Sequence, residues 1–71
     1  MTPDEFRAWR RRAGLSRAAL LDALRALGWH GLTIHALNTW AMRGTPSHVA
    51  VLLRVLERHP EELRPAASDA A

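Results

Sequence analysis

The amino-acid sequence predicts an all-α domain of four to five short helices, and three observations support this prediction. Apolar residues recur at helical spacing in four separate segments. Each segment starts near a threonine, serine or proline, and the first three end at a glycine, as helices commonly do. No segment alternates polar and apolar residues with the period of a β-strand. We expect one helix-turn-helix domain over residues 1–64 and a disordered tail over residues 65–71.

Helix 1 has the clearest start in the chain. Thr2 precedes Pro3, and Glu5 follows three residues after Thr2, which is the pattern of a capping box. Gly14 is expected to end the helix.

Helix 2 is expected to begin after Ser16 as N-cap and to end at Leu27, before Gly28. The following Trp29, His30 and Gly31 form a loop. Trp29 could plug the core, stack on a sugar–phosphate edge or lie in a dimer contact, and burial in the core is the interpretation that large aromatic residues favour.

Helix 3 is expected between Thr33 as N-cap and Gly44, and its two faces differ sharply. The side chains expected to point inward are Ile34, Leu37, Trp40 and Ala41. Those expected to point outward or to the flanks, and to read DNA bases, are His35, Asn38, Thr39 and Met42. The alternative for this face is an ordinary solvated helix surface.

Helix 4 is expected to begin with Thr45 as cap and Pro46, and to extend to about Arg58, followed by a helical turn near residues 60–63. Apolar residues lie on both of its sides, which indicates a partner surface as well as a core face. We expect this surface, formed by Val51, Val55 and Leu63, to make a homodimer. The expected core comprises Phe6, Trp9, Leu15, Leu20, Leu24, Leu37, Trp40, Val49, Leu52, Leu53 and Leu56.

Composition narrows the class of function. The 71 residues carry a net charge of +3, include no cysteine, and have arginine as their only strongly basic side chain. Arginine suits phosphate and guanine contacts, although a GC-rich coding bias would also enrich it. A chain of this size gains stability from oligomerisation, and the lack of cysteine fits the cytoplasm. The sequence shows neither a membrane-spanning stretch nor a signal peptide.

No feature of the sequence indicates an enzyme. We find no carboxylate pair, no nucleophile with a base and no phosphate-cradling glycine loop, so no cofactor and no small-molecule substrate are expected. His30 and His35 lack the carboxylate partners that a zinc site would need, and no metal is expected.

Several motifs, in this order, resemble the Cro and phage-repressor (XRE-type) helix-turn-helix family. The matching residues, which span roughly residues 2–63, are Phe6, Trp9 and Arg10 of helix 1, the turn Gly14-Leu15-Ser16-Arg17, Leu20, then Leu37, Trp40 and Gly44 of helix 3, and Pro46. Residues 46–60 are also similar to the C-terminal half of small anti-CRISPR-associated regulators, which are compact dimeric repressors of phage operons. Both resemblances imply a DNA-binding repressor.

Three departures from the family pattern matter for function. The connection between helices 2 and 3 is about half a dozen residues longer. Ala41 replaces the glutamate that follows the family's tryptophan, so Arg10 loses its usual ion-pair partner and must find another acceptor or a phosphate. Arg17 replaces the usual glutamine at the start of helix 2, which strengthens the attraction to phosphate.

The functional hypothesis is a phage or mobile-element repressor that binds an inverted-repeat operator in double-stranded DNA as a homodimer. The residues expected to bind phosphates are Ser16, Arg17, Thr33 and Arg43. Ser16 and Thr33 could equally be plain helix caps, and residues 10–12 a solvated basic run. The alternative function is a protein-binding module, such as an antitoxin or a phage inhibitor, that uses the same surface.

Overall fold

The computed structural model describes residues 1–63, and there the chain is all-helical, which confirms the predicted fold class. Its elements are α1 (Pro3–Ala13), α2 (Arg17–Ala26), α3 (Ile34–Arg43), α4 (Ser47–Arg58) and a 3₁₀ turn (Pro60–Glu62). The expected tail over residues 65–71 lies outside the described residues.

The predicted caps of the first three helices are present. In the capping box of α1, Thr2 Oγ1 accepts a hydrogen bond from Glu5 N at 3.2 Å, and Thr2 N donates to Glu5 Oε1 at 3.0 Å. Ser16 Oγ accepts from Ala19 N at 3.1 Å, and Thr33 Oγ1 accepts from Ala36 N at 3.4 Å. These local bonds satisfy amide groups that have no acceptor within the helix, so they fix where each helix begins.

The start of α4 differs from the prediction. Pro46 occupies the N-cap position, and its side chain has no polar atom with which to cap the helix. The expected cap, Thr45, lies one residue earlier and bonds elsewhere. The α-ammonium group of Met1 donates to Thr45 Oγ1 at 3.0 Å, and Thr45 N donates to the Met1 carbonyl at 2.9 Å. The first residue of the chain is therefore bonded to the connection between α3 and α4.

Two large aromatic side chains of α1, Phe6 and Trp9, lie fully buried in the core. Phe6 meets Trp40 of α3 edge to face with ring centroids 5.9 Å apart, and the buried Trp9 Nε1 donates to the Leu53 carbonyl of α4 at 2.9 Å. The expected core residues are buried, except for Leu52, which is half-buried. The buried residues that the sequence analysis did not include are Leu21, Ala23, Leu32, Ala50 and Leu63.

Two apolar side chains near the α2–α3 connection are exposed. Ile34, expected to face inward, is 42% exposed because it occupies the first position of α3. Leu27 lies just beyond the last residue of α2 and is also exposed, since the helix ends at Ala26 rather than at Leu27.

The extended connection between α2 and α3 spans residues 27–33 and is held at several points. Leu32 is buried, and its carbonyl accepts from Arg25 Nε at 3.0 Å. Trp29 packs on Trp40 with ring centroids 5.8 Å apart, in line with its expected place at the core. The added residues therefore leave α3 packed against both α1 and α2.

Candidate nucleic-acid interface

The outward face of α3 is available for contact. His35, Thr39 and Met42 are exposed, with Met42 77% exposed, and Asn38 is half-buried at the edge of the same face. Leu37 and Trp40 are buried on the opposite side and attach α3 to the core. The four predicted base-reading side chains thus share one face of a helix whose other face is anchored; from here on we call them the reading face.

Thr39 presents its side chain in a defined orientation. Its Oγ1 donates to the His35 carbonyl one turn earlier at 3.1 Å. The hydroxyl proton is therefore used within the helix, which leaves the methyl group and an oxygen lone pair as the groups that Thr39 can offer.

Arg17 links α2 to the reading face. Its Nη1 donates to Asn38 Oδ1 at 2.6 Å, although 21 residues separate the two along the chain. Asparagine can bind adenine through two bonds, which use its amide oxygen and its amide nitrogen. Because the Asn38 oxygen is engaged, such a contact requires Arg17 to release it. The amide nitrogen of Asn38 has no acceptor within residues 1–63, so it is the polar group of this side chain that remains available as a donor.

Arg10 has no counter-ion in the described part of the chain. Its guanidinium lies over the Phe6 ring, with Cζ 5.4 Å from the centroid, and its Nε is buried without a hydrogen-bond acceptor. Burial lowers the pKa of Arg10, and the nearby positive charges of Arg17 and Arg7 lower it further. Arginine remains charged at neutral pH despite such a shift, so this is an unpaired, partly desolvated cation.

Arg7 lies on the same side of α1 and ties it to the C-terminal half of α3. Its Nη2 donates to the Ala41 carbonyl at 3.4 Å, and its Nη1 lies 3.7 Å from Asp4 Oδ1. That carboxylate is almost fully exposed to water, which weakens its interaction with the arginine.

The remaining predicted phosphate ligands surround the reading face. Ser16 and Thr33 use their side-chain oxygens as N-caps, so the groups they leave for a ligand are the free amides in the first turns of α2 and α3. Arg43 is exposed in the last turn of α3. Their phosphate contacts stay predictions.

The predicted dimer surface needs one correction. Val51 and Val55 are 59% and 50% exposed on α4, one turn apart. Leu63 is only 6% exposed, because it packs into the core of its own chain. It has little surface left for a partner and is removed from the proposed interface.

A concavity of about 300 Å³ lies elsewhere, between α1, α4 and the 3₁₀ turn, and is lined by Trp9, Arg12, Ala13, Leu15, Leu56, Glu57, Pro60 and Leu63. Arg12 Nε donates to Glu57 Oε1 at 2.7 Å at its rim. None of the reading face residues lines it.

Two contacts were not predicted from the sequence. One is the hydrogen bond from Arg25 to the Leu32 carbonyl, which fixes the connection between α2 and α3. The other is the bond between Arg17 and Asn38, although both residues were expected to contact DNA. The basic residue in the last turn of α2 was the one available signal for Arg25. The unpaired state of Arg10, by contrast, was an expectation of the sequence analysis, because the resembled repressors carry a glutamate where this chain has Ala41.

No family model, curated protein or solved structure matches this chain. Within residues 1–63, no helix is both long enough and apolar enough to cross a bilayer, and no three histidine or acidic side chains converge as metal ligands.

Proposed function

We propose that the protein is a sequence-specific DNA-binding repressor that uses the reading face of α3 in the major groove. The observation that carries this proposal is the Arg17–Asn38 hydrogen bond, which joins the basic N-terminal end of α2 to a helix face with outward polar side chains. A surface of this kind offers phosphate contacts and base contacts side by side, and sequence-specific DNA binding needs both.

The docking follows from the dimensions of DNA. The major groove is about 12 Å wide and admits one α-helix. With α3 in the groove, the first-turn amides of α2 and the Arg17 side chain face one phosphate backbone, and Arg43 at the other end of α3 contacts the backbone beyond. These contacts fix the orientation of the helix without reading sequence.

Base reading falls to the exposed side chains. Asn38 donates from its amide nitrogen to an acceptor such as guanine O6 or purine N7, and the Thr39 methyl group contacts a thymine methyl group. His35 donates to a purine acceptor, while Met42 contacts the groove edge. A full two-bond contact adds about 1–3 kcal/mol of discrimination, and Asn38 makes one only when Arg17 releases its oxygen. The operator preference is the sum of this contact and the single contacts of the other side chains.

A homodimer formed through Val51 and Val55 gives the protein two reading faces. A two-fold axis converts one half-site into an inverted repeat with half-sites about one DNA turn apart, and it covers two valines that are otherwise in water. Bound at a phage or mobile-element promoter in the cytoplasm, such a dimer represses by covering the site that RNA polymerase needs.

The first experiment is a fluorescence-anisotropy titration against the duplex directly upstream of the protein's own gene, at two salt concentrations, beside a scrambled duplex. We expect tighter binding to the native duplex, two chains per duplex, and a logarithmic salt slope of about 0.9 for each phosphate neutralised. Equal, weak binding to both duplexes would contradict the proposal. Pull-downs would then test the protein-binding alternative, whose affinity should depend far less on salt.

Matched variants test whether the reading face selects the sequence. H35A and N38A should each weaken binding to the native duplex about 5- to 100-fold and flatten base preference at one position of a binding-site selection. H30A provides the control, since His30 is also an exposed histidine but lies in the connection between α2 and α3. If H35A and N38A both leave the selected sequence unchanged, α3 is not the helix that reads the DNA.

A further inference from the structure

Among the described residues, Arg10 carries the one buried side-chain nitrogen or oxygen atom that has no hydrogen-bond partner. Its Nε is buried without an acceptor, and its guanidinium is held over the Phe6 ring. An aromatic ring attracts a cation through its face, yet it supplies no lone pair for the five N–H groups of the guanidinium. A buried N–H without an acceptor is unfavourable, and no carboxylate within residues 1–63 pairs with this guanidinium, so the fold supplies Arg10 with no counter-charge of its own.

The surroundings of Arg10 add positive charge instead of neutralising it. Arg17 and Arg7 both lie close enough to lower its pKa through charge repulsion. The acidic side chain next to this group, Asp4, pairs with Arg7 from an exposed position. Arg17 is meanwhile held in place by Asn38 of α3. The Leu15 amide donates to the Arg10 carbonyl at 3.0 Å, so the start of α2 lies beside the turn of α1 that carries Arg10. The two arginines therefore come from neighbouring helix ends, and Asn38 holds one of them against α3.

We propose that Arg10 and Arg17 together bind one phosphate group, which supplies the counter-charge that the folded chain lacks, and that Asn38 positions Arg17 for it. Because this inference rests on the proposed function, the phosphate is a backbone phosphodiester of the operator beside the reading face. Arginine is suited to the role, since its planar fork binds two phosphate oxygens at once.

The arrangement couples DNA binding to the stability of the protein. An anion that binds the folded chain alone raises the free energy of unfolding by mass action. A substitution that damages the fold lowers Tm. Replacing Arg10 by an uncharged residue should instead keep or raise the Tm of the free protein, and phosphate should no longer raise that Tm.

The test compares R10M with R11M, since Arg11 is the exposed neighbour in the same run. Thermal unfolding followed by circular dichroism is measured in rising inorganic phosphate and in sodium chloride of equal ionic strength. For the unaltered protein and R11M, we expect phosphate to raise Tm more than chloride does. R10M should start at an equal or higher Tm and show no difference between the two salts.

R17Q is a second variant that does not depend on a core-facing side chain, because Arg17 is exposed. It should also lose the response specific to phosphate. In DNA titrations against the native duplex, R10M should lower the logarithmic salt slope by about one unit more than R11M does.

The outcomes separate this inference from the proposed function. If R10M lowers Tm and keeps the phosphate response, or if R10M and R11M have the same salt slope on a duplex that is bound specifically, the phosphate site is wrong while DNA binding stands. If no duplex is preferred but phosphate still stabilises the protein through Arg10 and Arg17, the anion site is supported and the operator as its source is overturned.

Discussion

Arg10 and Arg12 belong to one continuous run of arginines but lie on two different sides of α1. The two sides differ in the charged groups that face them. On one side Arg12 makes two bonds to Glu57 of α4, at 2.7 and 3.4 Å. On the other side Arg10 faces α2 and α3, where the described residues place Arg17 and no carboxylate within ion-pair distance. Two positions along a helix correspond to about 200° around its axis, so neighbours in the sequence meet different partners.

This difference shows why the count of basic residues says little about function. Arg12 is neutralised within the chain at an exposed site, where an ion pair adds little to stability and leaves little net field. Arg10 and Arg17 keep their charge beside the reading face. Charge that the fold leaves uncompensated is what attracts an anionic partner, and Arg10 and Arg17 supply such charge on the side of α1 that faces α2 and α3.

The largest effect should come from disturbing the contact between Met1 and Thr45, which ties the start of α1 to the connection between α3 and α4. Gly44 has φ of +94°, and a Cβ atom there would lie 2.5 Å from the Met1 carbonyl oxygen. G44A therefore strains the backbone and pushes apart the Met1–Thr45 contact, which should cost about 2–3 kcal/mol. That cost corresponds to a Tm lower by on the order of 10 °C for a chain of this size.

The control for this change is G31A. Gly31 has no positive φ, and a Cβ atom there would meet nothing within 4 Å beyond its chain neighbours, so the same substitution should leave Tm within a few degrees. An equal loss of Tm in both variants, measured by thermal unfolding, would show that the Met1 contact contributes nothing particular to the fold.

An intermediate effect is expected from giving Arg10 a carboxylate partner, as Arg12 has in Glu57. Position 41, on α3, is where the resembled repressors carry a glutamate. A41E should supply a carboxylate to Arg10 and raise the free energy of unfolding by about 1 kcal/mol, since a charge-assisted bond replaces an unpaired cation. It should also abolish the Tm response to phosphate and weaken DNA binding.

A41Q separates charge from size, because glutamine has the shape of glutamate without its charge. We expect A41Q to retain the phosphate response, as judged by the same Tm measurements in phosphate and chloride. If A41E and A41Q show the same change of Tm in phosphate, the charge at position 41 does not matter, and the inference that Arg10 lacks a counter-charge is wrong.

Local chemistry made much of the fold predictable. The caps at Thr2, Ser16 and Thr33 depend on bonds that span three residues, so they can be inferred from short patterns. The helical spacing of apolar residues likewise identified most of the core. Where a competing partner came from far along the chain, the prediction was wrong: Met1 takes the hydroxyl of Thr45, 44 residues away, from its expected role as a cap.

The exposure of the reading face was predictable from the sequence, but the bonds that connect it to the other helices were not. The period of α3 placed His35, Thr39 and Met42 outward, as the structure has them. The Arg17–Asn38 bond depends on how the seven-residue connection sets α3 against α2, and no local pattern encodes that angle. The burial of Leu63 depends similarly on the turn after α4.

The smallest effect should come from breaking the ion pair between Arg12 and Glu57, whose charges already compensate each other. R12Q and E57Q each remove one member of an exposed ion pair, so each should lower the free energy of unfolding by about 1 kcal/mol or less. A double-mutant cycle with both changes isolates the pair's own coupling, expected at about 0.2–1 kcal/mol. Neither variant should change the DNA sequence that is selected, because Arg12 and Glu57 lie across α1 from the reading face. A loss of base preference in R12Q as large as that in N38A would show that DNA contacts both sides of α1, and the division between a neutralised side and a binding side would then fail.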